Sequence, residues 1–147
     1  MNENDVLHPS ALSFYRYFTE KGFTLKLSTI SIAEYCVRGQ LDELPLRNLE
    51  IIPFNSNHAV QAGEYARIVF EEKSNDGLDV STRLIIPNDT KLFAQAKVDP
   101  DVTHFATSDV ESIKIYNLLS RKSSVDFQII NIRESLSSQL GTLPFQD

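Results

Sequence analysis

Three acidic residues occupy positions where a helix is expected to turn its apolar side towards a sheet. Glu34 lies four residues after Ile30, one after Ala33 and three before Val37, so in a helix over 29–38 it shares their face. Asp89 stands three, four and seven residues ahead of Leu92, Phe93 and Ala96, and Asp109 stands four and seven ahead of Ile113 and Tyr116. Carboxylates a few ångströms apart repel, and one must take up a proton unless a cation neutralises them. Mg²⁺ or Mn²⁺, with a preference for hard oxygen ligands, suits such a set. Plainer roles compete. The helix dipole favours acids in first turns, which accounts for Asp89 and Asp109 singly, and a buried salt bridge accounts for Glu34. Ser108 and Glu111 have the spacing of a capping box, with Asp109 between them.

Other chemistries find little support. His8, His58 and His104 are scattered with no i, i+4 pair, which disfavours a zinc site. Cys36 reads as a small buried core residue. Glycine is too sparse for a phosphate loop or a dinucleotide fingerprint. Lys91 and Arg38 are candidate contacts for phosphate groups, with solvated surface positions as the plainer reading.

These side chains need a scaffold, and 147 residues at 41% hydrophobic and 23% charged are enough for one domain with a real core. The net charge of -6 argues against coating nucleic acid by bulk electrostatics. The single cysteine excludes an intrachain disulfide, and no charged-then-apolar leader opens the sequence, which points to a cytoplasmic protein. No apolar stretch approaches the roughly 20 residues needed to span a bilayer.

Hydrophobic spacing predicts a helix over 9–21, started by Pro9 and Ser10 and stopped by Gly22. Phe23, Leu25 and Leu27 alternate with polar residues as in a strand, and Ser28 is placed to cap the helix that follows. A second strand is expected in Leu49 to Phe54, with a helix from Asn57. Residues 73–82 read as a loop, Leu84 to Ile86 as an apolar run stopped by Pro87, and Leu92 to Ala96 as a helix. Val102 to Ala106 and Phe127 to Ile132 are further strands, separated by a helix from Val110 to about Arg121. Residues 133–147 read as a partly helical tail with the apolar stretch LGTLPF at 140–145. Strands separated by helices imply right-handed crossovers, a parallel sheet and an α/β/α three-layer fold. In such folds the helix starts lie at the carboxyl ends of the strands, where ligands bind.

Taken together, these segments resemble a PIN domain, the small nuclease fold of many bacterial toxins. STISIAEYCVRG (28–39) resembles the family's step from strand to helix with its acid, here Glu34. NDTKLFAQA (88–96) resembles its Asp followed by an Ala-rich helix, here Asp89. HFATSDVES (104–112) resembles its strand, Thr-x-Asp turn and helix, here Thr107 and Asp109, with Glu111 where a further acid often sits. The similarity covers about residues 10 to 132. It implies a metal-dependent endoribonuclease in which Glu34, Asp89 and Asp109 hold Mg²⁺ or Mn²⁺, and Thr107, Ser108 and Glu111 support the metal's waters or orient its ligands. It also implies RNA as substrate and an antitoxin protein as partner; the sequence leaves homodimerisation open.

The chain departs from the family at its start. PIN domains begin with a central strand ending in the first acidic ligand, whereas MNENDVLHPS offers no apolar run, and Asp5 follows no strand. The expectation is therefore a sheet without its central strand, either because the true start lies upstream or because the strand and its ligand have been lost. A chain that has lost them would be a catalytically inactive module that binds protein or RNA.

Overall fold

The computed structural model describes residues 6–75 and 87–141. The apolar run at Leu84 to Ile86 and the end of the LGTLPF tail lie outside the described residues, as does Asp5. Helix α1 (His8–Glu20) begins with Pro9 in its first turn and buries Phe14 and Phe18. Gly22, at φ 77°, takes the left-handed conformation that glycine adopts without steric cost, and turns the chain into β1 (Lys26–Ser28). Ser28 caps α2 (Thr29–Tyr35), accepting from Ile30 N at 3.0 Å as its place in the sequence predicts. Two 3-10 turns, Leu41–Glu43 and Leu46–Asn48, lead to β2 (Glu50–Ile52) and α3 (Ser56–Asn75). Then follow α4 (Asn88–Val98), β3 (His104–Thr107), α5 (Val110–Lys122), β4 (Gln128–Asn131) and α6 (Leu136–Leu140).

Every strand pair is parallel, as crossover helices require, with Lys26 opposite Glu50 in β1–β2 and His104 opposite Gln128 in β3–β4. The strands form two separate two-stranded sheets, β1–β2 and β3–β4, not the single sheet that alternation of elements suggests. Among the described residues β1 and β3 each have one strand partner, on the outer side.

Alternation along β4 divides the core between two faces. Ile129 packs with Phe105 against a cluster from α3, α4 and α5 that includes Ala62, Tyr65, Val69, Phe93 and Leu119. Ile130 and Ile132 turn the other way, to Phe14 and Phe18 of α1 and to Leu136 and Leu140 of α6. Phe93 lies at the centre of an aromatic group, with ring centroids at 4.8 Å from Phe105, 6.1 Å from Tyr116 and 5.8 Å from Phe127. Burial pushes the Tyr65 phenol up to about 12, and its hydroxyl donates to Ser124 O at 3.0 Å. His58, which is buried, accepts from Asn55 N at 3.0 Å through Nδ1, while Asn55 Oδ1 accepts from His58 N at 3.1 Å. That reciprocal pair fixes the start of α3 and gives His58 a structural role.

Three local expectations are corrected. The helix at 29–38 stops at Tyr35, buries none of its residues, and leaves Glu34 and Ala33 exposed, with Val37 beyond its end 78% exposed. A two-stranded sheet is too narrow to cover the face these residues share. Cys36, which follows that helix, is exposed for the same reason. The capping box of Ser108 and Glu111 does not form: Asp109 is the cap, its Oδ1 accepting from Glu111 N at 2.8 Å.

A candidate acidic site at the carboxyl ends of the strands

Glu34, Asp89 and Asp109 come from three different elements and lie close to one another's neighbours. Glu34 Oε1 accepts from Asn88 Nδ2 at 2.6 Å, which ties α2 to the first residue of α4. Asp89, the next residue, accepts through Oδ1 from the hydroxyl of Ser112 in the first turn of α5. Asp109, at the start of that helix, is held by its own turn: Thr107 Oγ1 accepts from Asp109 N at 3.0 Å, and Asp109 Oδ1 takes the Glu111 N–H. A hydrogen-bonded row thus runs from α2 through α4 to α5. Asp89 is partly buried and Ser112 is buried, whereas Glu34 and Asp109 are exposed.

Of the supporting residues, Thr107 orients the turn through its hydroxyl, and the Ser108 carbonyl accepts from Arg133 Nε at 2.6 Å. Glu111 points to Lys114, 2.6 Å away, and not back to the cap. Lys91 Nζ donates to Asn88 Oδ1 at 3.1 Å, so one of the two expected phosphate contacts stands beside the row. Arg38 is exposed.

Arg133, Asn88 and Ser112 were missed by sequence reasoning. Arg133 was within reach of it, because it follows β4 just as Asp109 follows β3, at the strand ends where α/β folds place their ligand contacts. Ser112 and Asn88 carry no signal of their own; only the packing of α4 on α5 and of α2 on α4 gives them partners.

The donor set is all oxygen, the type preferred by Mg²⁺ and Mn²⁺. Its grouping is another matter, since no three His, Cys, Asp or Glu side chains among the described residues lie together as a metal-holding group. Each of the three carboxylates is engaged by a different donor. As placed, they match a divalent ion in chemistry and do not assemble a centre for it.

A second feature lies beside this row. A cleft of about 590 Å³ separates β1 from β3, lined by Leu25 to Ser28 on one side and Val102 to Ala106 on the other, with Phe18 and Phe23 from one layer and Leu92, Gln95 and Ala96 from the other. Gln95 is buried and bridges to the β1–β2 unit: Ser28 Oγ donates to its Oε1, and its Nε2 donates to Ile52 O at 3.3 Å. Lys26 Nζ reaches Asp99 Oδ2 at 2.6 Å. The bond to Asp99 raises the Lys26 ammonium above its ordinary value. Asp99 is the complement: burial pushes its carboxyl up, but the bond to Lys26 and the Asp101 N–H outweigh it and hold the group below its ordinary value.

This is a mixed α/β protein with parallel strands, and no described helix is long and apolar enough to cross a membrane. No protein family, no curated protein and no solved structure matches the chain.

Proposed function

We propose that this chain is a PIN-like ribonuclease module of the toxin type whose acidic end, formed by Glu34, Asp89 and Asp109, handles the scissile phosphate of RNA with the help of Mg²⁺ or Mn²⁺. The observation that supports this reading is the row from Glu34 through Asn88 and Asp89 to Ser112 and the Asp109 turn, which sets acids from three elements at the carboxyl ends of parallel strands. Asn88 and Ser112 hold two of the carboxylates in fixed orientations. Lys91 and Arg133 flank the row and offer the cations a phosphate needs. An antitoxin would cover the same acidic end.

A second reading, a catalytically inactive PIN-like module that binds protein or RNA, is favoured by the incomplete grouping of the acids. One experiment separates the two. RNA cleavage is followed with Mg²⁺ or Mn²⁺ and with a chelator, alongside the melting temperature, for the natural chain, Asp89→Asn and Asp109→Asn. Both variants should fold, because Asn keeps an oxygen acceptor for Ser112 at residue 89 and remains a good cap at 109. The nuclease reading expects cation-dependent cleavage that drops at least a hundredfold in either variant, and a melting temperature that rises with the cation in the natural chain. No cleavage and an unchanged melting temperature would leave the binding module.

A further inference from the structure

We propose that the cleft between β1 and β3 receives an extended polypeptide segment of a partner, apolar on both faces and led by a basic residue, which inserts parallel to both strands and joins the two half-sheets. The inference rests on the strand edges and is independent of the nuclease reading.

Successive residues of a strand turn their backbone groups to opposite edges. Glu50 N donates to Leu25 O at 2.8 Å, and Gln128 N and Ile132 N donate to Thr103 O and Thr107 O, each at 3.0 Å. The outer partners therefore take the backbone groups of these residues, and those of Lys26, His104 and Ala106 turn to the inner edges, which carry no strand partner among the described residues. Two parallel edges facing one cleft ask for the same thing, a polypeptide strand running in their own direction, and edge addition is an established way to bind one.

The two walls define its side chains. One face of the inserted strand would meet Phe18 and Phe23, and the other Leu92 and Ala96, so consecutive residues must be apolar, as in strands covered on both sides. With flanking strands of three and four residues, an apolar run of about four residues fills the span. The mouth at the amino-terminal ends of β1 and β3 fixes the direction by charge: Glu50 and Asp101 line it, and the one ammonium there, Lys26, is shared between Asp99 at 2.6 Å and Glu50 at 3.8 Å, so the carboxylates outnumber it. A basic residue just ahead of the apolar run complements that acidic mouth only in the parallel orientation.

The probe is a fluorescent hexapeptide, Lys-Lys-Val-Ile-Val-Ile, titrated against the full chain, with amide hydrogen exchange read in parallel. Saturable binding is expected, with slowed exchange at the Lys26, His104 and Ala106 amides. Binding should weaken at least tenfold when the second Val is replaced by Pro, when the two lysines are replaced by Glu, and in the protein variant Ala106→Glu, at an exposed residue that lines the cleft. Equal binding of the proline peptide would expose mere apolar adsorption and overturn the proposal, whether or not Ala106→Glu folds. Unchanged exchange at the three amides would overturn it as well. A chain that dimerises in sedimentation with those amides already protected would assign the cleft to a second copy.

Discussion

His104 shows how a residue that reads as chemistry can owe its place to packing. Its ring lies 5.6 Å from those of both Phe18 and Phe23, at the edge of the cleft, and burial lowers its pKa below the ordinary 6.5. The unfolded chain therefore binds a proton at a higher pH than the folded one. Its stabilising contribution is complete above about pH 6.5 and falls as the pH drops through that value towards the lower folded-state pKa. Replacing it by Phe keeps the ring contacts and removes the titration. Urea unfolding at pH 7 and pH 5 should show a smaller loss on acidification for His104→Phe than for the natural chain, and an equal loss would show that other groups carry the acid sensitivity.

At the scale of elements, α4 and α2 differ in what holds them. α4 buries Thr90, Phe93, Ala94, Gln95 and Ala96, and so is covered nearly all round, whereas α2 buries nothing. Phe93→Ala should cost about 3–5 kcal/mol, the usual range for emptying an aromatic site in a core. Val37→Lys should change stability by no more than about 0.5 kcal/mol, as for exposed positions generally. Denaturant titration checks both. A large loss at Val37 would restore the covered face that the 30, 33, 34, 37 spacing predicts.

That contrast also marks what the sequence could convey. Spacing placed α1, α3, α4 and α5 to within a few residues because each carries an apolar stripe that the structure does bury. The same spacing failed at Glu34 and Val37, since periodicity reports which face is apolar and not whether anything lies opposite it. Helix starts were legible where no second side-chain oxygen competed for the cap, as at Ser28. They were misread at Ser108, where Asp109 offers a competing oxygen one residue later and takes the Glu111 N–H. Asp89 and Asp109 could be picked out by type and by their place at helix starts, whereas Asn88 and Ser112 depend on contacts between elements far apart in sequence.

For the whole molecule, the question is what joins two sheets that share no strand pairing among the described residues. The bridge runs through α4 and the residue after it: Gln95 meets Ser28 of β1 and Ile52 of β2, and Asp99 meets Lys26. On its other side α4 packs Phe93 against Phe105 of β3 and Phe127 beside β4. Gln95 is therefore the polar joint between halves that the aromatic group cannot reach. Gln95→Leu keeps the volume but leaves the half-buried Ser28 hydroxyl and Ile52 carbonyl without that partner, a loss of about 1–3 kcal/mol. If α4 is the main coupling, the loss should be local as well as global. Amides of β1 and β2 should exchange faster in the variant, while those of β3 and β4 keep their protection under native conditions. Uniform acceleration across all four strands would instead mean that the halves unfold as one unit and that their coupling does not depend on this joint. A segment seated between β1 and β3 predicts the reverse effect, since it would couple the two sheets directly through backbone hydrogen bonds. The hexapeptide should then restore β1 and β2 protection in Gln95→Leu, and failure to do so while it binds would place it outside the cleft.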